Sequence, residues 1–279
     1  MPTAISLHPL FAARIEGVDI DHQTDAAWIR DALDRWSVLV FPHQTITDET
    51  QVAFSETFGP LETTRAGANG AGGKLIVLTN IGSNGQIAPP TDKQMLNNKA
   101  NQLWHHDSSF KAIPARASIL SAREIPSAGG DTAFCSTRAA WSALPAAMQA
   151  TARNRIAIHD FGWSRGRVDP ALITDAEKTG HPPVKRAVVA GENPNGLALY
   201  LGQHAKSVEG LNEADSRALI EDLMAFATNP DFVYSHRWQQ GDVVVWDNRA
   251  VMHRATPFAS ATERRHMVRT TASCPLSVQ

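Results

Sequence analysis

The chain has 279 residues, of which 43% are hydrophobic and 19% are charged, so it is expected to be globular with a sizeable core rather than disordered. The formal net charge of -2 lacks the basic excess of a nucleic-acid-binding protein and favours a small-molecule partner. No signal-peptide pattern and no apolar run of about 20 residues is present, so neither secretion nor a membrane partner is expected. The chain has only two cysteines, Cys135 and Cys274, and we expect both to be free thiols in the cytoplasm. From the chain length, we expect one domain over residues 1–279.

The first predicted elements are a helix in TDAAWIRDALDRW and a buried strand in SVLVF. A second helix is predicted to begin near Thr47 and to end at Gly59-Pro60, because glycine and proline do not continue it. Residues 60–100 include the glycine-rich AGANGAGG, a short strand KLIVLTN and the polar QIAPPTDKQMLNNKANQ, which we interpret as a mobile loop. Such a long loop is more often a lid or a binding element than an accident, with a plain surface excursion as the alternative.

From Ala115 onward, short apolar stretches alternate with turns such as PSAGGD, ENPNG and QQGD. This alternation of apolar stretches and turns predicts a mainly β fold with flanking helices, either an antiparallel barrel or a jelly roll. Two helices are predicted within it, one in STRAAWSALPAAMQATA and one in NEADSRALIEDLMAFAT, the latter with Asn212 as its N-cap.

Two histidines and an aspartate stand together in NQLWHHDSSF. If this segment starts a strand, His105 and Asp107 project from one face and His106 from the other. A third donor has to come from elsewhere, and the best candidate is His253 in VVVWDNRAVMHRATPF. Two imidazoles and one carboxylate are the ligands of a non-haem Fe(II) oxygenase, although zinc also binds such groups. Alone, an H-x-D motif is more often an ordinary hydrogen-bonded pair than a metal site.

Several linked segments resemble one family, the taurine dioxygenase and 2,4-dichlorophenoxyacetate dioxygenase group of Fe(II)/2-oxoglutarate-dependent oxygenases. NQLWHHDSSF is similar to its W-H-x-D-x-x-F, PSAGGDTAF to its G-G-D-T, GDVVVWDNRAVMHRA to its W-D-N-R-x-x-x-H, and ERRHMVR to its terminal arginine element. The match runs from about Ile5 to Thr271, and some segments look closer to the phenoxyacetate enzymes. The resemblance implies a double-stranded β-helix, or jelly roll, in which His105, Asp107 and His253 bind Fe(II).

The resemblance also assigns cosubstrate residues. It implies that Arg265, helped by the hydroxyl of Thr132, binds the distal carboxylate of 2-oxoglutarate, which suits the bidentate geometry of a guanidinium. Arg264 faces the opposite way on a strand and reads as a solvated charge, unless the register is shifted by one residue. His106 occupies the variable position of the motif, which favours a surface or supporting role over ligation.

Three further residues are implied contacts of the primary substrate. Arg269 lies an even number of residues beyond Arg265, hence on the same strand face, and matches an arginine that holds the anionic group of the substrate. An exposed strand charge is the alternative. Asn101 matches a substrate-contacting position of the taurine enzymes, and His204 lies in a segment shared with the phenoxyacetate enzymes. Ordinary hydrogen bonding is the alternative for each.

The resemblance implies an enzyme that uses Fe(II), 2-oxoglutarate and O2 to hydroxylate a small anionic organic substrate. An aryloxyalkanoate such as 2,4-dichlorophenoxyacetate is favoured, with cleavage of its ether to a phenol and an oxoacid beside succinate and CO2. The alternatives are taurine, an alkylsulfonate, a sulfate ester or another small carboxylate, and a jelly roll that binds ligand without turnover. A zinc hydrolase is disfavoured because no H-E-x-x-H motif occurs. A homo-oligomer is expected from the family only.

Overall fold

The computed structural model describes residues 1–20, 25–64, 72–191 and 195–273. The strands are β1 (Thr3–Ser6), β2 (Ala13–Glu16), β3 (Val38–Phe41), β4 (Ile76–Thr79), β5 (Ala115–Glu124), β6 (Thr132–Ser136), β7 (Ile156–His159), β8 (Val184–Ala187), β9 (Val189–Ala190), β10 (Ala198–Leu199), β11 (Ala205–Val208), β12 (Val233–His236), β13 (Val243–Asp247), β14 (Val251–Ala255) and β15 (His266–Ser273). The α-helices are α1 (Ala26–Trp36), α2 (Asp48–Glu56), α3 (Lys93–Ala100), α4 (Thr137–Ala143), α5 (Ala146–Ala152), α6 (Phe161–Gly166), α7 (Asp175–Gly180) and α8 (Glu213–Ala227), with 3-10 turns at Pro170–Leu172 and Pro230–Phe232.

Two sheets form the jelly roll. The large sheet has the strand order β1-β2-β3-β13-β5-β15-β4, and the small sheet has the order β12-β6-β14. All the pairings in both sheets are antiparallel except that of β2 with β3. The mainly β fold with flanking helices that the sequence predicts is confirmed.

The core lies between these sheets and continues beneath the helices. On β3, Val38 and Val40 face the small sheet, where they share a core with Phe134 and Trp246. The alternate residues of the same strand, including Phe41, pack instead against α1 and α2. Because successive side chains of a strand point to opposite faces, the unbroken apolar run VLVF fits a strand that is covered on both sides.

Several sequence predictions hold at the level of single residues. The N-cap of α2 is Thr47, whose hydroxyl accepts from the backbone N–H of Thr50. The N-cap of α8 is Asn212, whose side chain accepts from the N–H of Asp215. Cys135 is a buried free thiol, as predicted, whereas Cys274 lies outside the described residues.

Two predictions of local structure were wrong. The stretch QIAPPTDKQMLNNKANQ is not all loop, because it contains α3, which Asp92 caps at its N-terminus. The expected single helix in STRAAWSALPAAMQATA is two helices, because Pro145 lacks the N–H that a continuous helix requires. The short helices α6 and α7 were not anticipated. Within the described residues, no helix is both long and apolar enough to cross a membrane.

Candidate active site

An isolated antiparallel bridge joins the two candidate histidines. The backbone N–H of His105 donates to the carbonyl of His253 at 3.0 Å, and the reverse bond measures 2.9 Å. The bridge places the two imidazole rings 4.2 Å apart, centre to centre. The expectation that His105 and Asp107 alternate along a strand was wrong, because the chain turns immediately after the bridge and Asp107 belongs to that turn. The turn, and not a pleat, brings Asp107 back toward His105.

The three side chains converge, as the sequence predicts. Nε2 of His105 lies 3.9 Å from Oδ1 of Asp107, and Nε2 of His253 lies 3.6 Å from Oδ2. The donor atoms of the three residues, one from each, lie within 4.8 Å of one another, and all three residues are buried. Nδ1 of His105 is bonded to the carbonyl of Leu103 at 2.7 Å, which leaves Nε2 as its inward-facing donor.

Charges at the site favour metal-binding protonation states. Burial lowers the pKa of both His105 and His253, so their imidazoles are neutral and carry a free lone pair. Burial acts to raise the pKa of Asp107, but the Arg269 guanidinium, with help from the two histidines, holds it well below its usual range. Neutral imidazoles and an ionised carboxylate are the forms that a divalent cation requires.

Two polar residues that the sequence reasoning missed hold Asp107 in place. The hydroxyl of Ser118 on β5 donates to Oδ2 of Asp107 at 2.7 Å, and the amide of Asn248 donates to that hydroxyl at 2.9 Å. The side-chain carbonyl of Asn248 also accepts the backbone N–H of Asp107 at 3.0 Å. Such outer partners fix the orientation of a ligand. Asn248 was visible as the third residue of W-D-N-R, whereas nothing in the local pattern singles out Ser118.

The rest of the W-D-N-R motif anchors the turn between β13 and β14. Arg249 donates to Asp247 at 2.9 Å and to Asp34 of α1 at 2.7 Å. The indole of Trp246 packs against His253 with ring centres 4.6 Å apart, and its N–H donates to Asn248 at 3.2 Å. The motif therefore positions the segment that carries His253.

His106 does not face the other donors. Its Nδ1 is bonded to the backbone carbonyl of Asn248 at 2.8 Å, and its ring stacks on Tyr200 at 4.4 Å. The side chain is fully buried, so the suggested surface role is wrong, while the predicted separation from the other two donors holds. Burial lowers the pKa of His106 to about 4, which keeps the ring neutral.

A half-buried arginine lines the cavity beside the three donors. Arg265 and Thr132 line the same cavity as His105 and His253. Burial lowers the pKa of Arg265 to about 10, against the opposing effect of Asp131. Its Nε is buried and makes no hydrogen bond to any described residue. A guanidinium in this situation is matched by an anion from outside the chain.

The G-G-D-T element explains how the chain fits around this arginine. Gly129 and Gly130 both have positive φ angles, +72° and +69°. A Cβ on Gly129 would lie 2.6 Å from the carbonyl oxygen of Pro257, and one on Gly130 would lie 3.4 Å from the side chain of Arg265. The positive φ angles favour glycine at both positions, and the close carbonyl oxygen excludes a Cβ at Gly129; Thr132 follows at the start of β6.

The two arginines near the C-terminus differ as predicted. Arg264 is an exposed residue that pairs with Glu124 at 2.7 Å. Arg269 lines the cavity, and its Nη1 donates to Oδ1 of Asp107 at 2.6 Å. The exposed-strand alternative for Arg269 was wrong, because its side chain reaches the three-donor centre.

The remaining candidates for substrate contacts are Asn101 and His204. Asn101 ends α3, lines the cavity, and accepts the N–H of Ala255 through its backbone carbonyl. His204 is buried but is not among the residues that line this cavity; its Nδ1 is bonded to the hydroxyl of Ser164 at 2.7 Å. The structure therefore brings Asn101 to the site and leaves the substrate contact of His204 a prediction.

The residues present fit both a metal and a dicarboxylate. Two nitrogens and one carboxylate oxygen on one side of a buried point are the donor set of a facial triad. Arg265 supplies a cation in the same cavity, and Thr132 supplies a hydroxyl there.

Comparison with known proteins agrees with this arrangement. The profile described as "Taurine catabolism dioxygenase TauD, TfdA family" matches residues 4–271. The chain is 38% identical over 274 residues to the alpha-ketoglutarate-dependent 2,4-dichlorophenoxyacetate dioxygenase of Cupriavidus pinatubonensis, with 95% of each chain covered. It is 32% identical to the (S)-phenoxypropionate/alpha-ketoglutarate-dioxygenase of Sphingobium herbicidovorans, with 96% of this chain and 94% of that protein covered.

A solved structure is similar over the whole length. The crystal structure of AAD-2 in complex with Mn(II) and N-oxalylglycine superimposes with a TM-score of 0.91 at 34% sequence identity. The alignment covers 100% of this chain and 99% of that one. With the profile match, this full-length similarity shows that the chain belongs to the TauD, TfdA family of dioxygenases.

Proposed function

We propose that the protein is an Fe(II)- and 2-oxoglutarate-dependent dioxygenase that hydroxylates a small anionic substrate, an aryloxyalkanoate in the first place. His105, Asp107 and His253 would hold the metal, and Arg265 with Thr132 would bind the distal carboxylate of 2-oxoglutarate. The observation that carries the proposal is the presence, in one cavity, of a buried three-donor centre and an arginine whose buried Nε has no partner among the described residues.

Iron bound at this centre would supply the chemistry, coupling O2-dependent decarboxylation of 2-oxoglutarate to hydroxylation of a C–H bond. The protein contributes position and charge. The bridge between His105 and His253 fixes the two imidazoles, and Ser118 holds the carboxylate of Asp107. Neutral imidazoles and the ionised Asp107 give the centre one negative charge, which suits a divalent cation.

The substrate side of the cavity is proposed to hold an anion beside the reacting carbon. Arg269 lies at the metal centre through its bond to Asp107, and its Nε is a buried donor with no partner among the described residues. This donor supports the proposal that Arg269 binds the carboxylate of the substrate, with Asn101 as a neighbouring contact. Hydroxylation of the carbon next to an ether oxygen gives a hemiacetal, which collapses to a phenol and an oxoacid. His204 is retained as a proposed contact to be tested.

An aryloxyalkanoate is favoured over a sulfonate by the kinship with two phenoxyalkanoate enzymes at 38% and 32% identity. Arg269 does not discriminate between these classes, because a guanidinium binds a carboxylate and a sulfonate alike. The lining of the cavity does include apolar side chains, among them Leu78, Leu120 and Phe258, which are suited to contact an aromatic ring.

The test is O2-dependent release of succinate by the Fe(II)-loaded protein with a panel of phenoxyacetates, phenoxypropionates, taurine, alkylsulfonates and alkyl sulfate esters. Turnover of a phenoxyalkanoate, with a phenol formed in equal amount to succinate, is the expected result. Coupled turnover only with sulfonates or sulfate esters would keep the chemistry and overturn the substrate class. No succinate with any member of the panel, from protein shown to hold Fe(II), would contradict the enzymatic proposal.

A further inference from the structure

A hydrogen bond that the family motifs do not include ends on the hydroxyl of Thr132. The indole N–H of Trp238, two residues beyond β12, donates to Oγ1 of Thr132 at 3.1 Å. Both side chains are buried, and Thr132 lines the cavity together with Arg265. Trp238 is not itself among the residues that line the cavity, so it acts on the cavity through Thr132.

The direction of this bond is fixed by chemistry. An indole N–H donates and never accepts, whereas a threonine hydroxyl has one proton and two lone pairs. Because Trp238 occupies a lone pair of Thr132, the hydroxyl proton of Thr132 points elsewhere. Among the described residues, no acceptor is hydrogen-bonded to that proton. The hydroxyl is therefore left to donate to an acceptor from outside the chain.

A second group of polar side chains holds Trp238 in place. His236 lies opposite Thr132 in the pairing of β12 with β6, and its ring contacts that of Trp238 edge-on at 4.6 Å. Nε2 of His236 is bonded to Oδ2 of Asp242 at 3.0 Å, and the hydroxyl of Tyr234 lies 3.1 Å from Nδ1. Burial raises the pKa of Tyr234 to about 12, so its hydroxyl stays protonated. A carboxylate oxygen only accepts, so Nε2 of His236 donates to Asp242 and Nδ1 is left to accept from the Tyr234 hydroxyl.

The protonation pattern of this group follows from its bonds. With Nδ1 of His236 accepting from Tyr234, its Nε2 carries the proton and donates to Asp242. The same carboxylate oxygen accepts the backbone N–H of Gln239 at 2.9 Å, which ties down the segment that carries Trp238. The ring of Trp238 is thus fixed by a chain of directed bonds and one aromatic contact.

We infer that Trp238 is a positioning residue for 2-oxoglutarate: it orients the hydroxyl of Thr132 as a donor toward the distal carboxylate that Arg265 binds. This inference rests on the proposed function, since it takes 2-oxoglutarate as the anion in the cavity. A hydroxyl held as a donor before binding loses less freedom when the carboxylate arrives, and it can direct its proton toward the incoming negative charge.

The test is an anaerobic titration of the Fe(II)-loaded protein with 2-oxoglutarate, for wild type and Trp238→Phe. The visible charge-transfer band is the signal that reports binding. Phenylalanine keeps an aromatic ring against His236 and removes the N–H. We expect the Kd for 2-oxoglutarate to rise about fivefold to tenfold, the usual effect of one hydrogen bond. At saturating 2-oxoglutarate, kcat and the KM of the primary substrate should stay within twofold. Trp36→Phe, at a half-buried position on α1, is the matched control and should leave the Kd unchanged.

A double-mutant cycle separates orientation from general packing. In a Thr132→Val background there is no hydroxyl to orient, so Trp238→Phe should change the Kd less than twofold, whereas in Thr132→Ser its effect should persist. An equal effect of Trp238→Phe in the valine background, or a fall in kcat without a change in Kd, would overturn the inference. If Trp238→Phe does not fold, Asp242→Asn is the second variant. It weakens the bonds that Asp242 accepts from His236 and Gln239, and it should raise the Kd by a smaller factor. An unchanged Kd would count against the inference.

The experiment distinguishes this inference from the proposed function. Wild-type protein that holds Fe(II) but gives no band with 2-oxoglutarate would contradict the proposed function itself. A normal band in wild type and an unchanged Kd in Trp238→Phe would contradict only the role of Trp238.

Discussion

The two walls of the cavity are built from different kinds of structure. The wall proposed for metal and cosubstrate is carried by strands or by residues next to them, with Thr132 on β6, His253 on β14 and Arg265 immediately before β15. The other wall contains Asn98, on α3, and Asn101, which caps the helix and lies outside the two sheets. Strand positions are fixed by ladders of backbone bonds, whereas a short helix at the edge is held by fewer contacts.

This difference suggests a division of labour. A reaction that needs a metal and a cosubstrate at fixed distances benefits from rigid strands, and outer partners such as Ser118 add to that rigidity. Substrate choice is more easily varied on a helix or loop that can change without disturbing the ladders. We therefore expect substitutions of Thr132, Arg265 and the three donor residues to affect metal and 2-oxoglutarate, and substitutions at α3 to affect the primary substrate.

The largest effect is expected from His253→Ala, which removes one of three proposed ligands. Turnover should fall more than about 100-fold, because loss of even an outer partner typically costs about 10- to 100-fold. Fe(II) binding by equilibrium dialysis and O2-dependent succinate release measure the two consequences. His43→Asn, at an exposed histidine with a positive φ angle of 54° that asparagine tolerates, is the control. Retention of tight Fe(II) binding by His253→Ala would contradict the ligand assignment.

The next effect in size is expected from Arg265→Ala. The KM for 2-oxoglutarate should rise about 10- to 100-fold, as expected for hydrogen bonds to a charged group worth about 1.5–3 kcal/mol. Arg265→Lys should recover only part of the loss, because an ammonium does not bind a carboxylate through two parallel bonds. Steady-state kinetics at varied 2-oxoglutarate measure the change. Arg264→Ala, which loses the exposed pair with Glu124 and a bond to the backbone carbonyl of Gly85, should leave this KM unchanged. Equal effects at both arginines would indicate general charge and not a site.

A smaller effect on the same wall is expected from Ser118→Ala. This change removes the donor to Oδ2 of Asp107 and the acceptor of the Asn248 amide, so Fe(II) affinity should fall about tenfold while the KM for the primary substrate stays constant. Metal competition with a chelating dye measures the affinity. Ser142→Ala on α4, at an exposed hydroxyl bonded only within its helix, is the control. A change in the substrate KM without a change in Fe(II) affinity would contradict the role given to Ser118.

The smallest effect is expected on the other wall, from Asn101→Ala. Loss of one neutral hydrogen bond should raise the KM of the primary substrate about threefold to tenfold and leave both Fe(II) affinity and the KM for 2-oxoglutarate unchanged. Kinetics at varied substrate and at varied 2-oxoglutarate separate the two. Asn97→Ala, one turn earlier on α3 with its amide bonded to Lys93, is the matched control. If Asn101→Ala weakens 2-oxoglutarate instead, the division between the two walls is wrong.

The parts of the fold that sequence predicts well are those with local causes. Thr47 and Asn212 are N-caps because their side chains accept backbone N–H groups of the first helical turn. The glycines of G-G-D-T also have a local cause, because the positive φ angles at these positions favour glycine. The convergence of His105, Asp107 and His253 was predicted correctly but for a wrong reason, since a bridge and a turn replace the expected strand.

What the sequence did not predict depends on contacts between distant segments. Ser118 lies in an apolar strand and acquires its role only because β5 passes beneath Asp107. Trp238 meets Thr132 across 106 positions of the chain, and no local pattern links them. Helix α3 was hidden by the prolines and polar residues around it. The predictions of a single domain, a cytoplasmic location and a homo-oligomer stay predictions.

The measurement that tests the account most directly is anaerobic addition of Fe(II) and then 2-oxoglutarate to the purified protein, with the visible spectrum recorded for wild type and for His253→Ala. We predict a weak charge-transfer band in wild type that requires both additions, and its loss in the variant. No band in metal-loaded wild type, or the same band in His253→Ala, would contradict the assignment of this cavity as a metal and 2-oxoglutarate site.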